Sequence, residues 1–277
     1  MWRRTLTTGA AALLVPMVFG TAMAADGIRA IIVDADGALK DPEAAFWDEA
    51  DPVMVSMQAQ MVAKPLHGEP SVTEVSVRAA HNGHWIGLLV EWETPEPRDT
   101  IRLDDFGDQM AVQFPLDAGA SPMMGHDGAA VNIVQWRAAL QRDIAEGEPE
   151  IRDLYPYALV DVYPDEVLSL TDARAYTGAL GLDNPVARPF DSPVLDQMAE
   201  GWGTLTVRPM QIADGWGVWK DGRWRVAVSR PMRPILEGDP DLSPGTRRAA
   251  FAVWDGNNDE VGGRKSWSGW VDVQIEE

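Results

Sequence analysis

A chain of 277 residues with 43 acidic against 23 basic side chains carries a formal charge of −20. That balance argues against nucleic-acid or anionic-membrane binding, because both reward cations. The sequence contains no cysteine, which excludes covalent C-x-x-C-H haem attachment, cysteine-held iron–sulfur clusters and thiolate catalysis. Any redox cofactor would have to be held by histidine, methionine, lysine, tyrosine or a carboxylate, and the histidines are only His67, His81, His84 and His126.

In chain order, residues Met1 to Ala24 read as a signal peptide. Arg3 and Arg4 form the positive head, and Ala10 to Phe19 is an apolar run too short to span a bilayer. Thr21-Ala22-Met23-Ala24 then offers a small-x-small cleavage site. The expectation is export to the periplasm, cleavage after Ala24 and a single domain over residues 25–277. The paired arginines leave both the general and the twin-arginine export routes open.

Period-two alternation follows. Val53, Val55, Met57, Ala59 and Met61 alternate with Met54, Ser56, Gln58 and Gln60. Val72 to Ala80, the turn His81-Asn82-Gly83-His84 and Trp85 to Trp92 predict a hairpin closed by Asn-Gly. Met110, Val112 and Phe114 form one face of another strand. The stretch from Leu140 to Met198 is less regular and reads as long loops with a short helix or two. Trp219, the Asp221-Gly222 turn and Trp224 to Val228 predict a second hairpin. Arg233 to Arg248, with Pro234, Pro240 and Pro244, reads as a connecting loop, and Val271, Val273 and Ile275 as a last strand. The fold expected is all-β: an antiparallel β-sandwich with long loops and a few short helices.

Hydrolytic motifs are absent: there is no G-x-S-x-G elbow, H-E-x-x-H or phosphate-cradling glycine loop. Asp255 to Glu260 looks like a fragment of an EF-hand but lacks its twelve-residue spacing. Twelve tryptophans are many for this length. Most are expected in the core. Others could form a platform for a sugar or a wall for a planar cofactor.

Four segments carry a resemblance. They are Asp108-Gln-Met-Ala-Val-Gln-Phe-Pro115, the run from Pro122-Met123-Met124-Gly125-His126-Asp127 into the strand Val131 to Arg137, Trp219 to Trp224, and Phe251 to Trp270. Together they resemble the ethylbenzene-dehydrogenase-type haem-binding family, which includes the gamma subunits of dimethylsulfide, ethylbenzene, chlorate and selenate oxidoreductases. The resemblance implies a β-sandwich holding one non-covalent haem b, between or beside its sheets, with axial methionine and lysine. The methionine before glycine corresponds to Met124, and the lysine of G-x-K-x-x-S-x-W to Lys265; Trp136 is expected to wall the cofactor. It implies a molybdopterin catalytic subunit and an iron–sulfur subunit as partners in a heterotrimer, and a soluble c-type cytochrome or similar carrier.

The chemistry of the two side chains is consistent with that role. A thioether is a soft, neutral ligand that favours ferrous iron. An amine ligates only when unprotonated, and arginine cannot replace it because guanidinium keeps its proton. The only lysines are Lys40, Lys64, Lys220 and Lys265, and Lys220 sits in a hairpin turn. A histidine is the rival second ligand. His126 lies too near Met124 in sequence to reach the opposite face of a haem easily, and His81 and His84, flanking a turn, read as solvent-exposed. The alternative function is a haem-free carbohydrate-binding or adhesive sandwich presenting tryptophans.

Overall fold

The computed structural model describes residues 27–159, 184, 186 and 190–277. The expected signal peptide, Met1 to Ala24, lies outside the described residues, as does the middle of the irregular Leu140 to Met198 stretch. No described helix is long and apolar enough to cross a membrane.

Thirteen strands are described: β1 (Ile28–Ile32), β2 (Val53–Ser56), β3 (Glu74–His81), β4 (Trp85–Glu93), β5 (Gln109–Pro115), β6 (Val131–Arg137), β7 (Val194–Ala199), β8 (Thr206–Val207), β9 (Asp214–Lys220), β10 (Arg223–Pro231), β11 (Gly245–Trp254), β12 (Ser266–Trp267) and β13 (Val271–Ile275). Two short helices, α1 (Ala138–Glu146) and α2 (Ile151–Leu154), follow β6. The strands form one sheet in the order β8-β7-β6-β5-β11-β13-β1-β3-β4-β10-β9, with β12 beside β11 and β2 beside β3.

The sheet doubles over along β11. Gly245 to Ala249 pair with β13, and Ala250 to Trp254 pair with β5, so one strand belongs to both wings. The facing wings enclose the main core. At its centre Trp136 of β6 meets Trp224 of β10 at 4.9 Å and Trp92 of β4 at 6.3 Å between ring centroids. The path ends on β8 and β9 without joining, so the all-β sandwich is not closed.

Both predicted hairpins form, because Asn82-Gly83 and Asp221-Gly222 supply the turns: Gly83, Asp221 and Gly222 all have positive φ. The antiparallel expectation needs one correction. β1 runs parallel to both β13 and β3; no tight turn joins it to either, so nothing local forces reversal.

Alternation from Val53 also breaks after Met57. Gln60 is buried and Met61 is 58% exposed, because Gln60 turns inward to cap a loop through Ala63 O and Gly263 O. Strand β7, in the stretch read as loop, is the other surprise. Its Asp196 and Gln197 are fully buried: Asp196 accepts from Asn132 Nδ2 at 2.7 Å, and Gln197 donates to Gln135 Oε1 at 2.8 Å. Polar residues on both faces hide the period that marks a strand.

The alternation of glycine and tryptophan in β9 makes room across the core. A Cβ at Gly217 would stand 2.6 Å from Cζ2 of Trp136. Gln141 of α1 fastens the same spot, accepting from Trp136 Nε1 at 2.8 Å and Gly217 N at 2.7 Å, and donating to Gly217 O at 2.8 Å. Gly217→Ala should therefore lose about 1–3 kcal/mol through overpacking. Urea unfolding would show a lower midpoint at unchanged slope; an unchanged midpoint would mean that Trp136 can yield without loss.

Candidate functional site

Strands β5, β6 and β11 lie in the middle of one wing and bury both faces. Met110, Val112 and Phe114, with Val134, Trp136, Phe251 and Val253, point into the main core. The opposite face carries Gln109, Ala111 and Gln113 of β5, Ile133, Gln135 and Arg137 of β6, and Ala250, Ala252 and Trp254 of β11. Ala111 pairs with Ala252, and Trp267 of β12 pairs with Ala252 on its other side. Small side chains at this pairing leave a shallow floor on which a flat group can rest.

Loops roof this floor and enclose a cavity of about 700 Å³, within the roughly 300–1,000 Å³ of small-molecule and cofactor sites. It lies on the outer face of the wing, beside the sheet and not between the two wings. Ile101, Trp202 and Leu205 form part of its wall and stay 53%, 49% and 43% exposed, so the cavity opens to the surface there.

Met124 enters from the loop between β5 and β6. Its backbone is left-handed, φ 68°, which is uncommon for a non-glycine residue and clusters at functional sites. Gly201 N donates to Met124 O at 2.7 Å, and Gly125 N to Ser121 O at 2.9 Å. Gly125 also has positive φ, and a Cβ there would meet Ala129 O at 2.5 Å. The turn thus requires glycine at 125 and holds Met124 in a conformation uncommon for a residue with a side chain.

Lys265 enters from the loop before β12, after a turn closed by Arg264 N to Val261 O at 3.0 Å. Tryptophan N–H groups tie these loops down. Trp270 Nε1 donates to Ala120 O at 2.9 Å, Trp254 Nε1 to Gly262 O at 3.0 Å, and Trp267 Nε1 to Ala59 O at 3.0 Å. Each indole packs its apolar body and uses its one donor on a backbone carbonyl.

The two predicted ligands come together. Lys265 Nζ stands 3.9 Å from Met124 Sδ and 4.9 Å from the Trp254 ring centroid. A thioether and an amine that converge in one cavity are a soft and a nitrogen donor of the kinds that hold iron. The residues present therefore fit an iron-bearing group, which Met124 and Lys265 would hold. Burial pulls the amine's pKa down from 10.5 to about 8, which brings the lone pair within reach near neutral pH.

Other expectations resolve differently. Trp136 is not brought to this cavity: it is fully buried on the opposite face of β6, in the main core. None of the four histidines lines the cavity. His81, expected at the surface, is 3% exposed at the end of β3, while His84 and His126 are exposed. His67 Nε2 lies 2.6 Å from buried Glu260. Asp255 to Glu260 form a self-capped turn, with Asp255 accepting from Asn257 N at 3.0 Å and Glu260 accepting from Asp255 N at 2.8 Å. No cluster of three metal-binding carboxylates or histidines exists among the described residues. Lys40 pairs with Asp214 and Lys220 is exposed at its turn, whereas Lys64 stands at the cavity rim. Gln109, Gln135, Arg137 and the alanine floor went unread in the sequence, because nothing local marks which face of a doubly buried strand meets a ligand.

Comparisons with known proteins follow the same line. The chain is 24% identical over 267 residues to the chlorate reductase gamma subunit of Ideonella dechloratans, covering 94% of this chain and 87% of that protein. It is 24% identical over 254 residues to a candidate respiratory nitrate reductase haem subunit of Haloferax mediterranei, covering 90% and 73% respectively. Among solved structures, a family 9 carbohydrate-binding module from Caldicellulosiruptor kristjanssonii in complex with glucose overlaps 90% of this chain and 95% of its own, at 8% identity and a TM-score of 0.41; a likeness that low says nothing about the ligand. The family model described as ethylbenzene dehydrogenase matches residues 44–152 of this chain, a stretch that holds two of the four segments that carry the sequence resemblance.

Proposed function

We propose that this chain is the haem b subunit of a periplasmic molybdenum oxidoreductase complex of the dimethylsulfide dehydrogenase type. In that reading it passes electrons between an iron–sulfur subunit and a soluble cytochrome, within a heterotrimer whose third member carries molybdopterin. The observation that carries the reading is the pair Met124 and Lys265, facing each other at 3.9 Å above a floor of alanines. Its similarity to gamma and haem subunits of chlorate and nitrate reductases supports the assignment to electron transfer.

When bound, haem supplies one-electron exchange at its iron. This chain's residues then have separate tasks. Met124 offers a neutral thioether that favours the ferrous state. Lys265 offers an amine whose proton is already weakly held. The alanine floor and the roofing loops would shelter the group from water except where the cavity opens at Ile101, Trp202 and Leu205. In this reading bond chemistry belongs to the molybdopterin-bearing partner. Arg3, Arg4 and the apolar run behind them support export, and N-terminal sequencing of the exported protein should begin at Ala25.

Met124→Ala and Lys265→Arg should each abolish the native low-spin spectrum or shift the reduction potential, with the β fold intact by circular dichroism. Met123→Leu, a near volume-conserving change in the same wall, should be mild. His81→Ala and His84→Ala should leave the spectrum unchanged, since neither side chain reaches the cavity. Loss of the spectrum in a histidine variant, with Lys265→Arg normal, would exchange the second ligand.

The haem-free chain should also respond to pH through Lys265. Its folded pKa lies below the unfolded value, so the folded state is penalised when the amine is protonated. A lowering from 10.5 to about 8 corresponds to about 3 kcal/mol, present in full below pH 8 and relieved as pH rises toward 10.5. Haem-free Lys265→Met should accordingly gain most over wild type at pH 7 and least near pH 10. A stability difference independent of pH would remove the buried-amine account.

A further inference from the structure

The cavity reverses the charge of the molecule around it. In a chain of formal charge −20, the residues lining it include Lys64, Arg137 and Lys265 but no aspartate or glutamate. Lys265 faces Met124, and Lys64 is exposed at the rim. Arg137 is different. It ends β6, and its side chain lies along the trough beside Gln109, with which it pairs across the strands. A guanidinium carries five donors. Among the described residues Arg137 meets a single side-chain acceptor, the neutral Gln135 Oε1 at 3.2 Å from Nη2, and its Nε is buried without a partner. It makes no ion pair with any described carboxylate, although the chain has carboxylates in abundance.

The glutamines around it are already committed to one another. Gln197 Nε2 donates to Gln135 Oε1 at 2.8 Å, and Gln135 Nε2 to Gln109 Oε1 at 2.7 Å. This ladder holds Gln135 in place beneath the guanidinium and leaves the outer donors of Arg137 toward the cavity. Burial also draws the arginine's pKa below its usual value, in keeping with the lack of an ion pair to any described carboxylate. A partly buried cation whose Nε has no partner is costly unless a ligand supplies one.

We infer that Arg137 is the anchor for a carboxylate of the cavity's ligand, which fixes the ligand's orientation in the trough while Met124 and Lys265 hold its centre. The inference rests on the haem reading, since iron protoporphyrin carries two carboxylates on one edge of a flat ring. Arg137 is well suited to the task, because its planar fork matches a carboxylate in two parallel hydrogen bonds where an ammonium could offer only a point charge.

The test uses the purified full chain in haem-free form and two probes, iron protoporphyrin IX and its dimethyl ester. The ester keeps the ring and the iron but removes both negative charges. Wild type should bind the ester about 10- to 100-fold more weakly than the acid, as expected for loss of a charge-assisted pair. Arg137→Gln should bind the acid weakly to a similar degree and show no further loss with the ester. Arg137→Lys should recover part of the affinity for the acid. The axial spectrum should persist in all of these complexes, because neither ligand to iron is touched. Equal binding of acid and ester by wild type overturns the inference, even if no Arg137 variant folds; so does wild-type affinity for the acid in Arg137→Gln. In either case a spectrum that still depends on Met124 and Lys265 leaves the haem reading standing. Failure of wild type to bind either porphyrin overturns both.

Discussion

A β-strand presents two faces, and a strand with solvent on neither must find something to put against each. Strands β5, β6 and β11 are in that position. Their inner face is conventional, with valines, Phe114, Phe251 and Trp136 against the opposite wing. Their outer face combines alanines and glutamines with Val131, Ile133, Trp254 and Arg137, and a small second apolar cluster with Ala120, Ala129 and Ala199 covers only part of it. Loops cover it without filling it. The cavity, the placing of Met124 and Lys265, and the ladder of glutamines all follow from that arrangement.

Electrostatics sharpen the same picture. Most of the molecule's carboxylates face water, where a high negative charge favours solubility. The few that are buried are held in networks, such as Asp196 and Asp239 with Arg208 and Arg230. Inside the trough the sign is positive and the neutral polar groups are mutually bonded. A group entering there meets cations of two kinds: one that can release its proton to become a ligand, and one that cannot and so remains a fixed charge.

Much of this was legible in the sequence, for identifiable reasons. The two hairpins announced themselves through Asn-Gly and Asp-Gly, whose left-handed preference is a property of those residues themselves. Met124-Gly125 and Gly263-x-Lys265 were visible because each is a short motif whose glycine serves the local backbone. Trp136 shows the limit. It neighbours Arg137 in sequence and both belong to the same strand, yet period two sends one to the core and the other to the cavity. With apolar residues on both sides of Val131 to Arg137, no alternation told which was which. β7 escaped notice because its buried Asp196 and Gln197 answer to partners on β6, which only the folded chain supplies. His81 looked exposed beside its turn, but the strand it ends carries it inside.

The double membership of β11 has an evolutionary side. Between Ala250 and Trp254 the small residues and Trp254 face the trough, and Phe251 and Val253 face the core. Losing or gaining one residue there would exchange the two sets for everything beyond the change, because a slip of one turns every side chain to the other face. Phenylalanine and valine would then stand where the flat group lies, and alanines would leave voids among the tryptophans. The pairing with β13 on one half and with β5 on the other would also fall out of step. This strand can accept exchanges that respect size on each face, but its length is frozen. Insertions and deletions among relatives should therefore gather in the loops and leave these ten positions unbroken.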